Sequence, residues 1–476
     1  MSRCDPLIVK INEKLTAPIN HSTCSIFKVP SRLRHVNEKA FEPEILSIGP
    51  YHRGKDSLKM MEEHKERYLE KLLKRRGESS VERYVEAMIV LVIVISGTTP
   101  PPNKVATTTK QVTASLVPLM VACFKGVLSP TLHHRSPDSA QQIGVEEEAR
   151  KFYDQSEVSL GQDEFVEMLL LDGCFIVELI RKCNNTRGVS GEADPVFEVP
   201  WILPCIETDT MLLENQLPFF VLLKLFTMTS GQSEKDFFGM ALNFCQQIFR
   251  GLGNHIIHEN ECKHLLVMLY HAGYQPPDST ESPNGNDWNF IRNAKELQEA
   301  GIKLKKREGS WRLFDVVFSE NGTIEIPCLK VDDRTESLFR NLVAYEQCSQ
   351  RQHPYVTDYI TLMDCLINTQ EDVQILRHSG IIENGLGDDE TVCSLFNKLG
   401  INVTFSHRRL FYFCYNKVFD GVKEHCNRKR NVWMAKLKRD YFNSPWALLS
   451  FLAAVALLLF TLVQTVLTVM SYFQKD

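Results

Sequence analysis

The sequence predicts a predominantly α-helical domain with a small antiparallel β-hairpin or sheet, followed by a single C-terminal transmembrane helix. Three observations predict this. Apolar residues recur at helical spacing through most of the 476 residues. One pair of alternating segments flanks an Asn-Gly dipeptide between Trp311 and Val331. One uncharged run, Trp446 to Met470, is long enough to cross a hydrocarbon core of about 30 Å.

The helices follow in order. Ser57 to Arg76 places Leu58, Met61, Tyr68, Leu69, Leu72 and Leu73 on one side, and Gly77 stands where helices favour a stop. Asp163 to Cys183 is apolar on most sides, which predicts a central place in the core. Asp209 to Phe226 is a third helical pattern, with Pro218 inside it to kink or divide it. Further helices are expected over Lys235 to Arg250, Ile291 to Ala300, Thr335 to Cys348, Val356 to Asn368, Glu371 to His378 and Glu390 to Leu399. Lys303 to Lys306 reads as a short extra strand, and Asn321-Gly322 as a type I′ hairpin turn.

Two stretches break the texture. Pro276 to Asn286 is loop by composition. Met88 to Gln142 opens on a β-branched run too short to span a membrane and passes into Pro/Thr-rich sequence. It reads as an atypical insertion that is poorly ordered or loosely packed. The expected organisation is therefore an N-terminal part (1–87), the insertion (88–142), a main helical domain (143–440), the membrane helix (446–470) and a short tail (471–476).

Composition narrows the function classes. Hydrophobic residues at 43 % and charged residues at 24 % exclude a mainly disordered chain. A net charge of −5 gives no pull toward nucleic acid, so none is expected as a partner. The 14 cysteines are scattered with no Cys-x-x-Cys pair, which argues for free thiols in a reducing compartment. Met1 to Lys14 lacks the long apolar centre of a secretory signal.

Orientation follows from the flanks of the membrane helix. Arg428, Lys429, Arg430, Lys436, Lys438 and Arg439 precede it, against only Lys475 and Asp476 after it. The positive-inside rule then puts the bulk of the chain in the cytosol; the rule leaves the membrane itself open, and the plasma membrane is the favoured expectation. The bilayer is one expected partner, reached through Trp446 to Met470, and the basic block is a stop-transfer flank that can also touch anionic headgroups. Sequons beginning at Asn20, Asn184, Asn321 and Asn402 weigh little against this asymmetry.

Several blocks then stand together: Val29-Pro30, Ser47-Ile48-Gly49-Pro50-Tyr51-His52, Leu171-Asp172-Gly173-Cys174-Phe175, Leu212-Leu213-Glu214-Asn215-Gln216-Leu217-Pro218-Phe219 and Asn341-Leu342-Val343-Ala344-Tyr345-Glu346-Gln347. Together with Ala294-Lys295-Glu296-Leu297 and Pro445-Trp446, they make the chain resemble a plant family catalogued as domain of unknown function 247. The resemblance runs from about Cys24 to Gln464 and implies a plant protein with one C-terminal membrane segment. That family has been associated with self-incompatibility loci in grasses, which implies recognition or signalling through a protein partner. It brings no catalytic residues, and the insertion after Ala87 departs from its pattern, so the resemblance implies that residues 88–142 are a gene-model artefact such as a retained intron.

Candidate sites are few. Asp209, Glu214, Asn215 and Gln216 form the densest polar group on an otherwise apolar stretch. They either line a pocket or satisfy backbone groups freed near Pro218, and the second reading is preferred. His255, His258, Cys262 and His264 lack a matching ligand pair at any zinc spacing. His52 with Glu62 or Glu63 would suit acid–base work, but no nucleophile or oxyanion hole accompanies them. No phosphate loop, dinucleotide fingerprint or nucleophile elbow is present, so no catalytic residue, metal or cofactor is assigned. A non-enzymatic, membrane-tethered interaction protein is the expectation, with an unrecognised enzyme using Glu214 as the alternative.

Overall fold

A computed structural model describes residues 24–78, 81–89, 145–154, 156–185, 194–249, 261–273, 291–309, 312–349, 354–404, 413–428 and 445–473. The longer helices are α1 (Lys59–Arg76), α2 (Glu82–Ile89), α3 (Gln162–Asn184), α4 (Ile202–Asp209), α5 (Phe219–Ser230), α6 (Glu234–Ile248), α7 (Leu265–Ala272), α8 (Thr335–Cys348), α9 (Tyr355–Leu366), α10 (Gln370–His378), α11 (Asp389–Leu399), α12 (Asn416–Asn427) and α13 (Pro445–Phe473). The chain is mostly helical, as its periodicity predicts.

Helix α3 is the axis of the N-terminal half. Its residues are buried almost all round, and α1, α2, α5 and α6 pack against it. Tyr68 of α1 sets its ring 4.9 Å from Phe175, and its hydroxyl donates to Asp194. Helix α1 ends where Gly77 adopts φ +68°, the left-handed conformation that closes a helix at no steric cost. Met88 and Ile89 belong to α2, and Met88 lies fully in the core; the rest of the stretch to Gln142 lies outside the described residues.

The β structure differs from expectation in two ways. Strands β2 (Val317–Ser319) and β3 (Thr323–Ile326) do form the antiparallel hairpin. Its loop, however, has three residues, with Ser319 paired to Thr323 and only Gly322 at positive φ (+77°). A type I′ turn needs both central residues there, so this is the longer turn that ends on a left-handed glycine. A Cβ on Gly322 would lie 2.4 Å from the His425 ring of α12, so that helix's approach also selects glycine. Second, β1 (Lys303–Lys306) joins β3 in parallel, and β4 (Leu329–Val331) leaves to pair in parallel with β5 (Ile382–Asn384). The sheets are mixed rather than purely antiparallel, because strands far apart in sequence supply the outer partners.

The Asp209 to Phe226 pattern is divided. Helix α4 stops at Asp209, an irregular segment follows, and Pro218 caps α5 from outside. Proline has no N–H to donate and disfavours a helical residue before it, which accounts for the break. Far down the chain, α13 contains one span, Leu449–Met470, of 22 residues with mean hydropathy 2.3 and none of it buried. Thr461, Thr465 and Thr468 turn their hydroxyls back onto the carbonyls of Leu457, Thr461 and Gln464, which keeps that surface apolar.

Gly49 offers a direct test of how tightly the core is fitted. It adopts φ +73°, and a Cβ there would meet the Gln216 carbonyl oxygen at 2.7 Å. Gly49→Ala should therefore cost about 2 kcal/mol or more, combining left-handed strain with a backbone clash. The readout is the thermal midpoint of the purified chain, which should fall by several degrees.

Candidate functional site

The densest polar assembly joins two irregular segments, residues 41–50 and 210–218. Pro43, Gly49 and Pro50 keep the first from becoming a helix or a paired strand. Its peptide groups are nonetheless buried and need partners. Side chains supply them. The Asp209 carboxylate accepts from the N–H groups of Glu44, Ile45 and Leu46 at 2.8, 2.9 and 2.8 Å. Asn215 accepts from Ile48 N–H at 2.7 Å and donates to the carbonyls of Leu46 and Asp209, both at 2.9 Å. Asp172 of α3 accepts from Gly49 N–H at 2.9 Å. Five peptide N–H groups within six residues are thus held by three side chains.

The second segment is held in the same manner. The Gln216 amide donates to the carbonyls of Thr210, Leu212 and Asn215, and its oxygen accepts from Leu266 N–H at the start of α7. Asn341 of α8 accepts from Leu213 N–H at 2.8 Å and donates to the Ala40 carbonyl at 2.8 Å. Tyr153 donates its hydroxyl to the Gln216 carbonyl at 2.9 Å. Helices α7 and α8 are tied to one loop in this way.

Glu214 stands at the edge of the assembly. One carboxylate oxygen accepts from Val29 N–H at 2.6 Å and the other from the Arg34 guanidinium at 2.5 Å. His52 Nε2 lies 3.4 Å from that second oxygen, and Glu42 bridges Arg34 and Lys55. Burial pushes the Glu214 carboxyl up, but His52, Arg34 and the Val29 N–H outweigh it and hold it below its ordinary value. The carboxylates beside His52 are therefore Glu214 and Glu42. Glu62, which the sequence had paired with His52, instead takes Lys65 at 2.5 Å and the Ser47 hydroxyl. Lys65 is fully buried and also meets Asp172 at 2.7 Å.

All four sequence-picked residues, Asp209, Glu214, Asn215 and Gln216, come together here, each at most 2 % exposed. Several equally committed residues were not picked: Asp172, Asn341, Glu346 and Asp372. Glu346 accepts from the N–H groups of Val356 and Thr357 and from the Thr357 hydroxyl. Asp372 does the same for Lys295, Asn368 and Thr369. The available signal was a lone acid or amide inside an apolar helix, as in LLLDGCF and LVAYEQ. His264 lies buried with Nε2 3.0 Å from the Ser25 carbonyl, and Cys262 is buried near it. His255 and His258 lie outside the described residues, as do Lys429, Arg430, Lys436, Lys438 and Arg439, whereas Arg428 closes α12. Among the described residues, no cluster of potential metal ligands forms.

These features define a class: a helical domain whose irregular joints are fastened by buried carboxylates and amides, with one apolar C-terminal helix beyond it. The chain belongs to the plant family described as plant protein of unknown function, DUF247, whose match covers residues 26–93 and 123–460 and passes over 94–122. It is similar to the UPF0481 protein At3g47200 of Arabidopsis thaliana, at 29 % identity over 94 % of this chain and 87 % of that protein. A second UPF0481 protein of the same plant, At3g02645, is 28 % identical over 39 % of this chain and 34 % of its own length. No solved structure matches.

Two substitutions test the fastening. Asp209→Asn turns an amide NH₂ toward backbone donors and should destabilise the domain by about 2–4 kcal/mol, read as a lower unfolding midpoint. Glu346 tests pH dependence. Burial pushes its carboxyl up to about 7, against the Thr357 hydroxyl and the Val356 and Thr357 N–H groups. The folded state then binds a proton that an unfolded Glu releases near pH 4.3, so this residue's contribution falls as pH rises through that window. Glu346→Gln should accordingly cost more at pH 5 than at pH 8, by about 3 kcal/mol, in paired urea titrations. An equal cost at both values would refute the assignment.

Proposed function

We propose that this protein is a single-pass, membrane-tethered interaction component whose helical domain faces the cytosol and engages another protein on the same membrane. The observation that carries the reading is α13. None of its 22-residue apolar span is buried among the described residues, and a run of that length covers about 33 Å at 1.5 Å per residue. In water such a surface would be a large uncompensated apolar patch. Tethering in turn raises the effective concentration of the domain toward partners in the same bilayer.

Other features support the non-enzymatic and cytosolic parts. Both Glu214 oxygens already serve Val29 and Arg34, so that carboxylate holds the fold rather than facing open space. The sequon residue Asn184 donates its amide to the carbonyls of Ile180 and Met240, and a glycan there would break both bonds. The arginines and lysines before the span agree with cytosolic placement of what precedes it.

Fractionation tests the tether. The full chain should stay in the membrane pellet through alkaline carbonate, and Leu458→Lys with Leu459→Lys should release it, since each charge at a helix centre costs roughly 2.5–3.5 kcal/mol. Protease added outside sealed microsomes should remove the helical domain; a protected product that a glycosidase shortens would reverse the orientation. Proximity labelling from the domain should mark a protein of the same membrane, and the lysine variant should lose that mark.

A further inference from the structure

We propose that the cleft where the ends of α4 and α6 meet the start of α8 binds a small apolar α-amino acid. The cleft encloses about 140 Å³. An engineered apolar cavity of roughly 150 Å³ takes up benzene, so this one suits a body of roughly six to nine heavy atoms. Its floor includes Met211 and Phe249, both buried, and its rim carries charges of both signs.

The rim charges are unevenly used. Glu207 gives one carboxylate oxygen to Arg334 Nη1 at 2.9 Å, while its other oxygen has no hydrogen bond among the described residues. Arg334 also reaches Asp332 at 3.5 Å, which leaves that guanidinium shared between two acids. Lys330 lines the same cleft from strand β4, and its ammonium has no ion-pair partner among the described residues. An acceptor oxygen and a cationic side chain, neither bonded among the described residues, thus line one cleft with Met211 and Phe249. Burial raises the Glu207 carboxyl even beside Arg334, so a further cation there would find a partly desolvated acid.

A zwitterion meets both needs at once. Its ammonium takes the free Glu207 oxygen, its carboxylate takes Lys330, and its side chain covers Met211 and Phe249. A bare amine would leave Lys330 unmatched, and a bare carboxylate would leave Glu207 so. Polar sites discriminate strongly against analogues that lack the group they were built to bond. The inference stands apart from the membrane reading, because none of these residues lies in α13.

Calorimetry on the detergent-purified full chain tests it, with L-leucine as the probe. Leucine should bind, and 4-methyl-2-oxopentanoate (no ammonium) and isoamylamine (no carboxylate) should each bind at least tenfold more weakly. Lys330→Ala, on an exposed strand position, should weaken leucine at least tenfold while leaving the melting temperature unchanged. Met211→Trp, which fills the floor, should abolish binding; if that variant does not fold, the Lys330→Ala comparison decides alone. Absence of leucine binding at millimolar concentration, an unchanged affinity in Lys330→Ala, or equal binding of either analogue would overturn the proposal.

Discussion

The capture of backbone N–H groups by buried carboxylates and amides is the interaction on which the rest of this structure depends. Residues 44–49 run through the interior without a helix or a strand partner, and their donors cannot be left bare, since each orphaned group costs about 1–3 kcal/mol. Asp209, Asn215 and Asp172 take five of them. Because those three side chains sit on α4, on the following loop and on α3, one set of hydrogen bonds also fixes how those elements meet. Helices α1, α2, α5 and α6 pack around α3 on the frame those bonds fix.

This solution places several charges where water cannot reach them, and the protein handles each differently. Lys65 and Asp172 neutralise one another at 2.7 Å in full burial, with Glu62 at the outer side. Glu214 is drawn below its ordinary range because Arg34 and His52 stand against it, whereas Asp209 is pushed up to about 7 because burial outweighs three peptide donors. Removing one member of such a pair leaves the other uncompensated, so these positions tolerate little change. The polar residues in the LENQ, LDGC and AYEQ blocks are thereby accounted for by the fold, without any appeal to chemistry on a substrate.

Function must then be sought on surfaces these side chains do not use. Among the described residues two are distinct. Helix α13 presents an apolar span of which none is buried, and the cleft beside α8 is lined by a Glu207 carboxylate oxygen and a Lys330 side chain that have no bonding partner among the described residues. The first bears on the proposed tether, and the second on the proposed amino-acid site.

How much of this was legible depends on range. Periodicities of 3.6 and 2 are local, so α1, α3, α6, α8 and the β2–β3 hairpin could be read from neighbouring residues, as could the 22-residue apolar span and the break at Pro218. Strand partners were not local. Parallel pairing of β1 with β3 and of β4 with β5 joins segments that no turn connects, and the approach of α12 to Gly322 comes from far along the chain. The site divides the same way. Asp209, Glu214, Asn215 and Gln216 were visible as polar residues in an apolar stretch, but their partners at positions 29, 44–48 and 266 lie far off in the chain. The sequence by itself determined α1, α3, α6 and α8 to α11, the hairpin, the apolar C-terminal span and the family, whereas α2, α4, α7 and α12 carried no expectation. Only the tertiary structure decided what the buried polar residues do, because a hydrogen bond's worth is set by which donor arrives beside it and by whether water is excluded when it does.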